Sequence, residues 1–263
     1  MEEPIPRYSR HTLLRVFGEE GQDKVEKSRV FVAGLGALGS LISILLARAG
    51  VGFLRIADLD APELHNIHRQ ILYDEADTMS GLSKARVAEK RLKAAASNVE
   101  IEAVDVRIGP DNIDHLVRDV DVVVDALDNI SARYHMNDAV LARRIPYVFG
   151  GAIETMGNVM TVIPGGTPCL RCLWPNPHEV SDHPRAATVG VLSATATAVA
   201  SIQVAETLKL LLGRQEDLIR GLLTLDLWRT RFRVVPVEPN PACVCRTKAD
   251  SAKMRSGGNP DNE

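Results

Sequence analysis

The chain is short of cysteine and of aromatic side chains. Among 263 residues there are four cysteines, two tryptophans and five phenylalanines, and aromatics as a class make up 4%. A chain of this length has enough residues to bury a core without staples, so a disulfide-built scaffold is excluded. It also lacks an excess of either charge. Lys+Arg number 31 against 34 Asp+Glu, for a net charge of -3, which leaves no electrostatic footprint of a dedicated nucleic-acid binder. No direct nucleic-acid partner is expected. The opening segment from Met1 to His11 has no apolar stretch behind a basic region, so it reads as no secretory signal and the chain is expected in the cytoplasm. In that reducing compartment four cysteines point to metal binding or catalysis rather than to disulfides.

Long hydrophobic runs are also missing, with one stretch to weigh. Ala186 to Leu212 is mostly Ala, Val, Leu and Thr, a composition to compare with a spanning helix. Within it Gln203, Glu206 and Lys209 recur every three residues and share one helical face, opposite Val199, Ile202, Ala205 and Leu208. Charges in mid-bilayer cost several kcal/mol, so a buried amphipathic helix is expected and no membrane association.

What is present in the first half is alternation. Apolar runs at Arg29 to Ala33, Phe53 to Ala57, Glu100 to Val104, Asp121 to Asp125 and Pro146 to Phe149 read as strands, and Leu38 to Gly50, Leu82 to Ala95 and Ser131 to Arg143 read as the helices between them. Continuous apolar strands separated by helices predict a doubly wound, Rossmann-like α/β fold with a mostly parallel sheet covered on both faces. After Gly150-Gly151 the chain turns to extended segments: Asn158 to Ile163, a Cys-containing turn, a Pro/His-rich loop from Pro175 to Pro184, the long helix, and antiparallel strands at Leu222 to Leu225 and Phe232 to Val237. From residue 247 to Glu263 the sequence is polar and rich in Gly, Pro, Asp and Asn, the composition of a disordered tail.

Gly34-Leu35-Gly36-Ala37-Leu38-Gly39 is a GxGxxG between a predicted strand and a predicted helix, where backbone N–H groups at a helix N-terminus meet phosphate. Asp58, about 20 residues on at the end of the second strand, is placed to accept from a ribose hydroxyl. Alone, these features favour an NAD or FAD site. The residues downstream do not. Asp60, Asn66, Arg69 and Gln70 follow, then Lys84, then Asp128-Asn129 behind the fourth strand, with Arg133 assigned no role. A pyrophosphate cradled by amides needs few cations, whereas a guanidinium, an ammonium and a further hard carboxylate suit ATP with Mg²⁺.

On these residues, together with Arg7-Tyr8-Ser9-Arg10, Phe17-Gly18-Glu19-Glu20-Gly21-Gln22 and Pro168-Cys169-Leu170-Arg171-Cys172, the chain resembles the MoeB/ThiF/HesA family from about Arg7 to Arg246. The resemblance implies MgATP-dependent adenylation of the C-terminal glycine of a small ubiquitin-like sulfur-carrier protein of the MoaD or ThiS type, with release of pyrophosphate. It implies one ATP-binding adenylation domain over 1–246, its nucleotide half at about 1–150 and its carrier-binding and zinc half at about 151–246. It implies a homodimer in which Arg10 reaches the partner's site. The roles that follow put Asp58 on the ribose, with Asn66, Arg69 and Arg10 from the partner on the phosphates. Lys84 bridges phosphate charge, Asp128 holds Mg²⁺, and Gly34, Gly36, Gly39, Asp60, Gln70 and Asn129 complete the nucleotide site.

Cys169-x-x-Cys172 and Cys243-x-Cys245 are two close pairs far apart in sequence, the arithmetic of a tetrahedral zinc site. The second pair is one residue shorter than the family's usual CxxC, so three cysteines with His178 or His183, or a degenerate site, remain alternatives. Family members that form a thioester carry a cysteine shortly before a Gly-Val-Leu. Here Gly190-Val191-Leu192 is present, Ala186 stands near the expected place, and the loop from Pro175 to Val189 has no cysteine. No thioester on this chain and a separate sulfur donor are therefore expected, the stretch after Arg246 being too short for a rhodanese-like domain. Adenylation of a small-molecule or tRNA-borne carboxylate, a non-catalytic scaffold pairing with an active homologue, and an NAD-dependent oxidoreductase are the competing readings.

Overall fold

The computed structural model describes residues 5–175 and 186–245. The expected disordered tail, the histidines His178 and His183 and most of the Pro/His-rich loop lie outside the described residues.

Two short helices open the chain, α1 (Ser9–Thr12) and α2 (Gly18–Lys27). The nucleotide half then follows the alternation read from the sequence: β1 (Arg29–Ala33), α3 (Ala37–Ala49), β2 (Phe53–Ala57), α4 (Lys84–Ala95), β3 (Glu100–Val104), α5 (Ile113–Leu116), β4 (Val122–Asp125), α6 (Ile130–Arg143) and β5 (Tyr147–Ile153). The second half contributes β6 (Met156–Val162), α7 (Leu170–Leu173), α8 (Ala186–Val189), α9 (Ser193–Leu212), β7 (Leu222–Asp226) and β8 (Arg231–Val235). All eight strands form one sheet in the order β3-β2-β1-β4-β5-β6-β7-β8. Pairing is parallel from β3 across to β5 and antiparallel from β5 to β8.

β2 and β4 are buried at every position and β1 at all but its first, which is why their sequences are continuous apolar runs without alternation. One core lies under α3, α4 and α9, around Leu41, Ile42, Leu46, Leu92 and Val199. The other lies under α5, α6 and α7, around Phe31, Val123, Met136, Val140 and Phe149, and it includes Cys169, Cys243 and Cys245. The chain builds β1, β2 and β3 outward in one direction and then returns to place β4 on the other side of β1. The connections that leave the carboxyl ends of β1 and β4 therefore run to opposite faces of the sheet, into α3 and α6, and this switch of direction is where a doubly wound sheet forms its ligand crevice.

The long helix departs from the sequence reading in two ways. It is interrupted: α8 ends at Val189, Gly190 takes φ +86, and α9 starts at Ser193. Its polar face also turns inward rather than outward. Gln203, Glu206 and Thr207 are fully buried, whereas Ala205 is exposed and Ile202 and Leu208 are partly so. Gln203 and Glu206 find partners on distant segments, and Thr207 Oγ1 donates to the Gln203 carbonyl one turn back (2.8 Å), which offsets the cost of the inversion. Gln203 Nε2 donates to the carbonyls of Asp125 (2.7 Å) and Val148 (3.1 Å). Glu206 accepts from Thr161 Oγ1 (2.7 Å) and the Ile219 amide (3.0 Å), and its other oxygen lies 2.5 Å from Lys209 Nζ. Among the described residues no helix is long and apolar enough to cross a membrane.

Candidate active site

The glycine loop joins β1 to α3 at the mouth of the crevice. Gly34 takes φ +93, and a Cβ there would stand 2.7 Å from the carbonyl oxygen of Ala126 at the end of β4. A Cβ on Gly39 would stand 1.9 Å from the Gly34 carbonyl oxygen. These two glycines are demanded by the protein's own packing. Gly36 differs: a Cβ there would meet only Gln70 Nε2, at 3.8 Å. Gly36 is also the N-cap of α3 and supplies no side-chain cap, so the first amides of that helix face the space it leaves open.

Asp58 closes the β2 side. Its Oδ2 accepts from the Leu35 amide (2.8 Å) and its Oδ1 from the Asp60 amide (2.9 Å). Burial pushes its carboxyl above the ordinary value, against the pull of Lys84 and those two amides. Lys84 is the first residue of α4, behind the Ser83 N-cap, and its side chain is 7% exposed. Its Nζ lies 3.4 Å from Asp60 Oδ2. This buried ammonium is paired with the Asp60 carboxylate and lies near enough to Asp58 to pull on its titration.

The segment between β2 and α4 carries Asn66, Arg69 and Gln70. Arg69 Nη2 donates to Asn66 Oδ1 (2.5 Å) and Nη1 to the His65 carbonyl (3.1 Å), and partial burial lowers the guanidinium from its ordinary value. Gln70 is buried beside Gly36, and its Oε1 has no hydrogen-bond partner. An acceptor left without a protein partner beside an open glycine is available to a group bound in the loop. Across the crevice, β4 ends at Asp125 and Asp128 follows. Asp128 is exposed and, among the described residues, its carboxylate has no hydrogen-bond or ion-pair partner. Asn129 is otherwise engaged: its Oδ1 accepts from the Ala132 amide (2.8 Å) as the N-cap of α6.

Arg10 is not brought to this crevice within one chain. It is exposed on α1, and a Cβ on Gly50, just past the last residue of α3, would stand 2.6 Å from Tyr8 Cζ. α3 has 13 residues, about 20 Å of helix between that end and the glycine loop.

The four cysteines do meet. Their Sγ atoms all lie within 4.8 Å of one another, with Cys169 to Cys243 at 3.6 Å and Cys172 to Cys245 at 3.5 Å. A tetrahedral ion with metal–sulfur bonds near 2.3 Å sets its ligands about 3.8 Å apart, so this donor set fits zinc. The Cys243-x-Cys245 pair is not in an extended strand. Asn240 turns the chain there, accepting from the amide of Cys243 through its carbonyl and from that of Ala242 through Oδ1, both at 3.0 Å, so the shorter spacing is taken up by a turn. Burial pushes the Cys169 thiol up to about 11 and raises that of Cys245 further.

Residues 8–246 match the ThiF family. The chain belongs to that family. It is 37% identical over 248 residues to the sulfur carrier protein ThiS adenylyltransferase of Bacillus subtilis, covering 92% of this chain and 72% of that one. It is 38% identical over 250 residues to the sulfur carrier protein adenylyltransferase of Thermus thermophilus, covering 93% and 92%. The fold is that of the solved structure of E. coli MccB with ATP, at a TM-score of 0.80 and 22% identity over 93% of this chain and 75% of that one. With relatives this similar along nine-tenths of its length, the chain is an adenylyltransferase.

Sequence reasoning left three residues of this ThiF-family site without a role. Asp125 is fully buried at the end of β4, Arg133 lies with Nε 3.0 Å from its Oδ2, and Gln203 holds the Asp125 carbonyl from α9. The signals were faint. An acid closes an apolar strand with a base one helical turn into the next helix, and Gly150 sits inside a strand. A Cβ on Gly150 would stand 2.2 Å from Gln203 Cδ, so that glycine admits the glutamine.

Proposed function

We propose that the chain binds MgATP in the crevice between the carboxyl ends of β1 and β4 and adenylates the C-terminal glycine carboxylate of a small ubiquitin-like sulfur-carrier protein, releasing pyrophosphate. One juxtaposition carries the reading: the glycine loop, open at Gly36 with the uncapped α3 N-terminus behind it, is seated at Gly34 on Ala126, two residues before Asp128, whose exposed carboxylate has no partner among the described residues. Gly34, Gly36 and Gly39 would shape the loop against the phosphates, with Asn66, Arg69 and Gln70 on their far side. Lys84, braced by Asp60, would bridge phosphate charge, Asp58 would accept from the ribose, and Asn129 would act through the α6 cap beside Asp128. Asp128 is the residue that would hold Mg²⁺, whose part is to neutralise phosphate charge as it builds.

The chemistry asks little of the protein beyond placement. A C-terminal carboxylate has a pKa of ~3.5 and is ionised at neutral pH, so its attack on the α-phosphorus needs no general base. Alignment and charge neutralisation of the departing pyrophosphate remain, which amides, a guanidinium and an ammonium supply. α1 lies about 20 Å of helix away from the loop of its own chain, so Arg10 would serve the loop of a second copy in a homodimer.

The half from about 151 to 246 would dock the carrier and hold zinc through Cys169, Cys172, Cys243 and Cys245, tying the C-terminal segment to the α7 turn. Since all four cysteines of the chain stand in that cluster, none is left for a thioester, and a separate sulfur donor would take the acyl-adenylate. The test is ATP–pyrophosphate exchange with purified carriers. Exchange should require an intact Gly-Gly tail and vanish when the terminal carboxylate is amidated. Exchange driven instead by a small carboxylate, or none with any carrier, would replace this reading.

A further inference from the structure

The turn that carries Asp128 is held from beneath by one side chain. Arg133, one turn into α6, is 12% exposed. Its Nη2 donates to the Leu127 carbonyl (2.5 Å) and to the Gly150 carbonyl on β5 (2.9 Å). Its Nε lies 3.0 Å from Asp125 Oδ2, and its guanidinium carbon lies 4.9 Å from the centroid of the Phe149 ring. Asp125 Oδ1 accepts from the Leu127 amide at 2.8 Å. Both the amide and the carbonyl of Leu127 are thus taken by this one buried pair. The Leu127 carbonyl belongs to the peptide bond whose nitrogen is that of Asp128. On the other side, Asn129 is fixed by capping α6. Asp128 therefore follows a backbone clamped before and after it, while its own carboxylate has no hydrogen-bond or ion-pair partner among the described residues.

We propose that Arg133 is a positioning residue for the nucleotide and its divalent ion: paired with Asp125, it sets the Leu127–Asp128 peptide and hence the direction from which the Asp128 carboxylate meets the triphosphate. The proposal rests on Asp128 being the ligand of Mg²⁺. The geometry asks for a planar fork that reaches a carboxylate and two carbonyls at once, which an ammonium at the same place does not copy. A buried pair used only to brace β4 against β5 would support the fold equally with or without Mg²⁺. A clamp on a ligand's backbone acts on metal affinity, for which loss of a supporting contact costs about tenfold to a hundredfold.

The experiment measures affinity for a fluorescent ATP analogue across a Mg²⁺ titration, with thermal unfolding alongside, for the wild type, Arg133→Lys, Asp128→Asn and the double variant. Arg133→Lys should need at least about tenfold more Mg²⁺ for half-maximal tightening, with affinity in the absence of Mg²⁺ within about twofold of wild type. In the Asp128→Asn background the same substitution should change nothing further, because the two act as one unit. Asp125→Asn keeps an acceptor for the Leu127 amide and should show a smaller shift in the same direction, which serves if Arg133→Lys does not fold. An unchanged Mg²⁺ dependence in Arg133→Lys or Asp125→Asn, an equal loss with and without Mg²⁺, or effects that simply add would overturn the positioning role while leaving Asp128 its own. Nucleotide binding that ignores Mg²⁺ in the wild type, or an Asp128→Asn variant that titrates like wild type, would instead remove the Asp128 assignment and the proposal with it.

Discussion

The carbonyl oxygen of Ala126 lies 2.7 Å from the position that a Cβ on Gly34 would take, so the loop after β1 is seated directly on the end of β4. Within one six-residue motif, glycine is thus required for two separate reasons. Gly34 and Gly39 are closed in by backbone, whereas Gly36 has no backbone near it.

That division predicts different outcomes from the same substitution. Gly34→Ala and Gly39→Ala should lose stability by about 1–3 kcal/mol or fail to fold, the usual range for forcing a methyl into packed structure. Gly36→Ala should melt with the wild type but bind ATP at least about tenfold more weakly, because the methyl occupies the phosphate's approach. Thermal unfolding and nucleotide titration separate the two effects. Wild-type ATP affinity in Gly36→Ala would remove the loop from the proposed site.

Asp128→Ala should abolish carrier-driven pyrophosphate exchange, by more than about a hundredfold. Its melting temperature should stay within about 2 °C of wild type, because an exposed carboxylate without a partner among the described residues contributes little to the fold. Full activity in this variant would exclude Asp128 from the reaction.

Purified protein should carry about one zinc per chain. Stripping it with a strong chelator should lower stability by roughly 3 kcal/mol, or roughly 6–12 °C for a chain of this size, and should open the segment after Val237 to protease. Cys169→Ser should behave as the stripped protein does. Less than about half an equivalent of zinc in protein prepared without chelator would count against the site.

The buried Asp58 carboxyl makes a prediction with a definite sign. Burial raises its folded value above 3.8, so the folded chain holds that proton more tightly than the unfolded one. Its contribution to stability is full below about pH 4 and is lost as pH rises through the folded value. Asp74 and Asp226 are held down by hydrogen bonds from Arg91 and Arg229, and they contribute in the opposite sense, losing stability as pH falls. Urea unfolding of wild type and Asp58→Asn between pH 3.5 and 7 isolates the first effect. Wild type should weaken relative to the variant as pH rises and then run parallel to it. A flat difference, or one of reverse sign, would show that Asp58 is not desolvated in solution.

Much of the nucleotide half was legible from the chain itself. The runs at Val30, Leu54 and Val122 are apolar on both faces because helices cover both sides of a parallel sheet, and local sequence states that requirement directly, whereas β3 at the sheet edge keeps Glu100 and Glu102. The positions of the glycine loop, Lys84 and Asp128 in the fold were legible for a similar reason, each standing at the end of an element whose limits its neighbours mark. The CxxC and CxC pairs have the spacing of metal ligands, but only the fold brings residues 74 positions apart to 3.6 Å. The long helix shows where local reading runs out. Gln203 and Glu206 imply an outward polar face until the carbonyls of Asp125 and Val148 and the hydroxyl of Thr161 are placed beneath them. Arg133 likewise has no role that its neighbours in sequence assign until β4 and β5 bring Asp125 and Gly150 to its guanidinium. Hydrophobic period and glycine placement, properties of neighbouring residues, determined the elements and the crevice. Which polar groups are buried, and what they hold, was decided only by tertiary structure, because a buried hydrogen bond is worth having only when its distant partner has arrived.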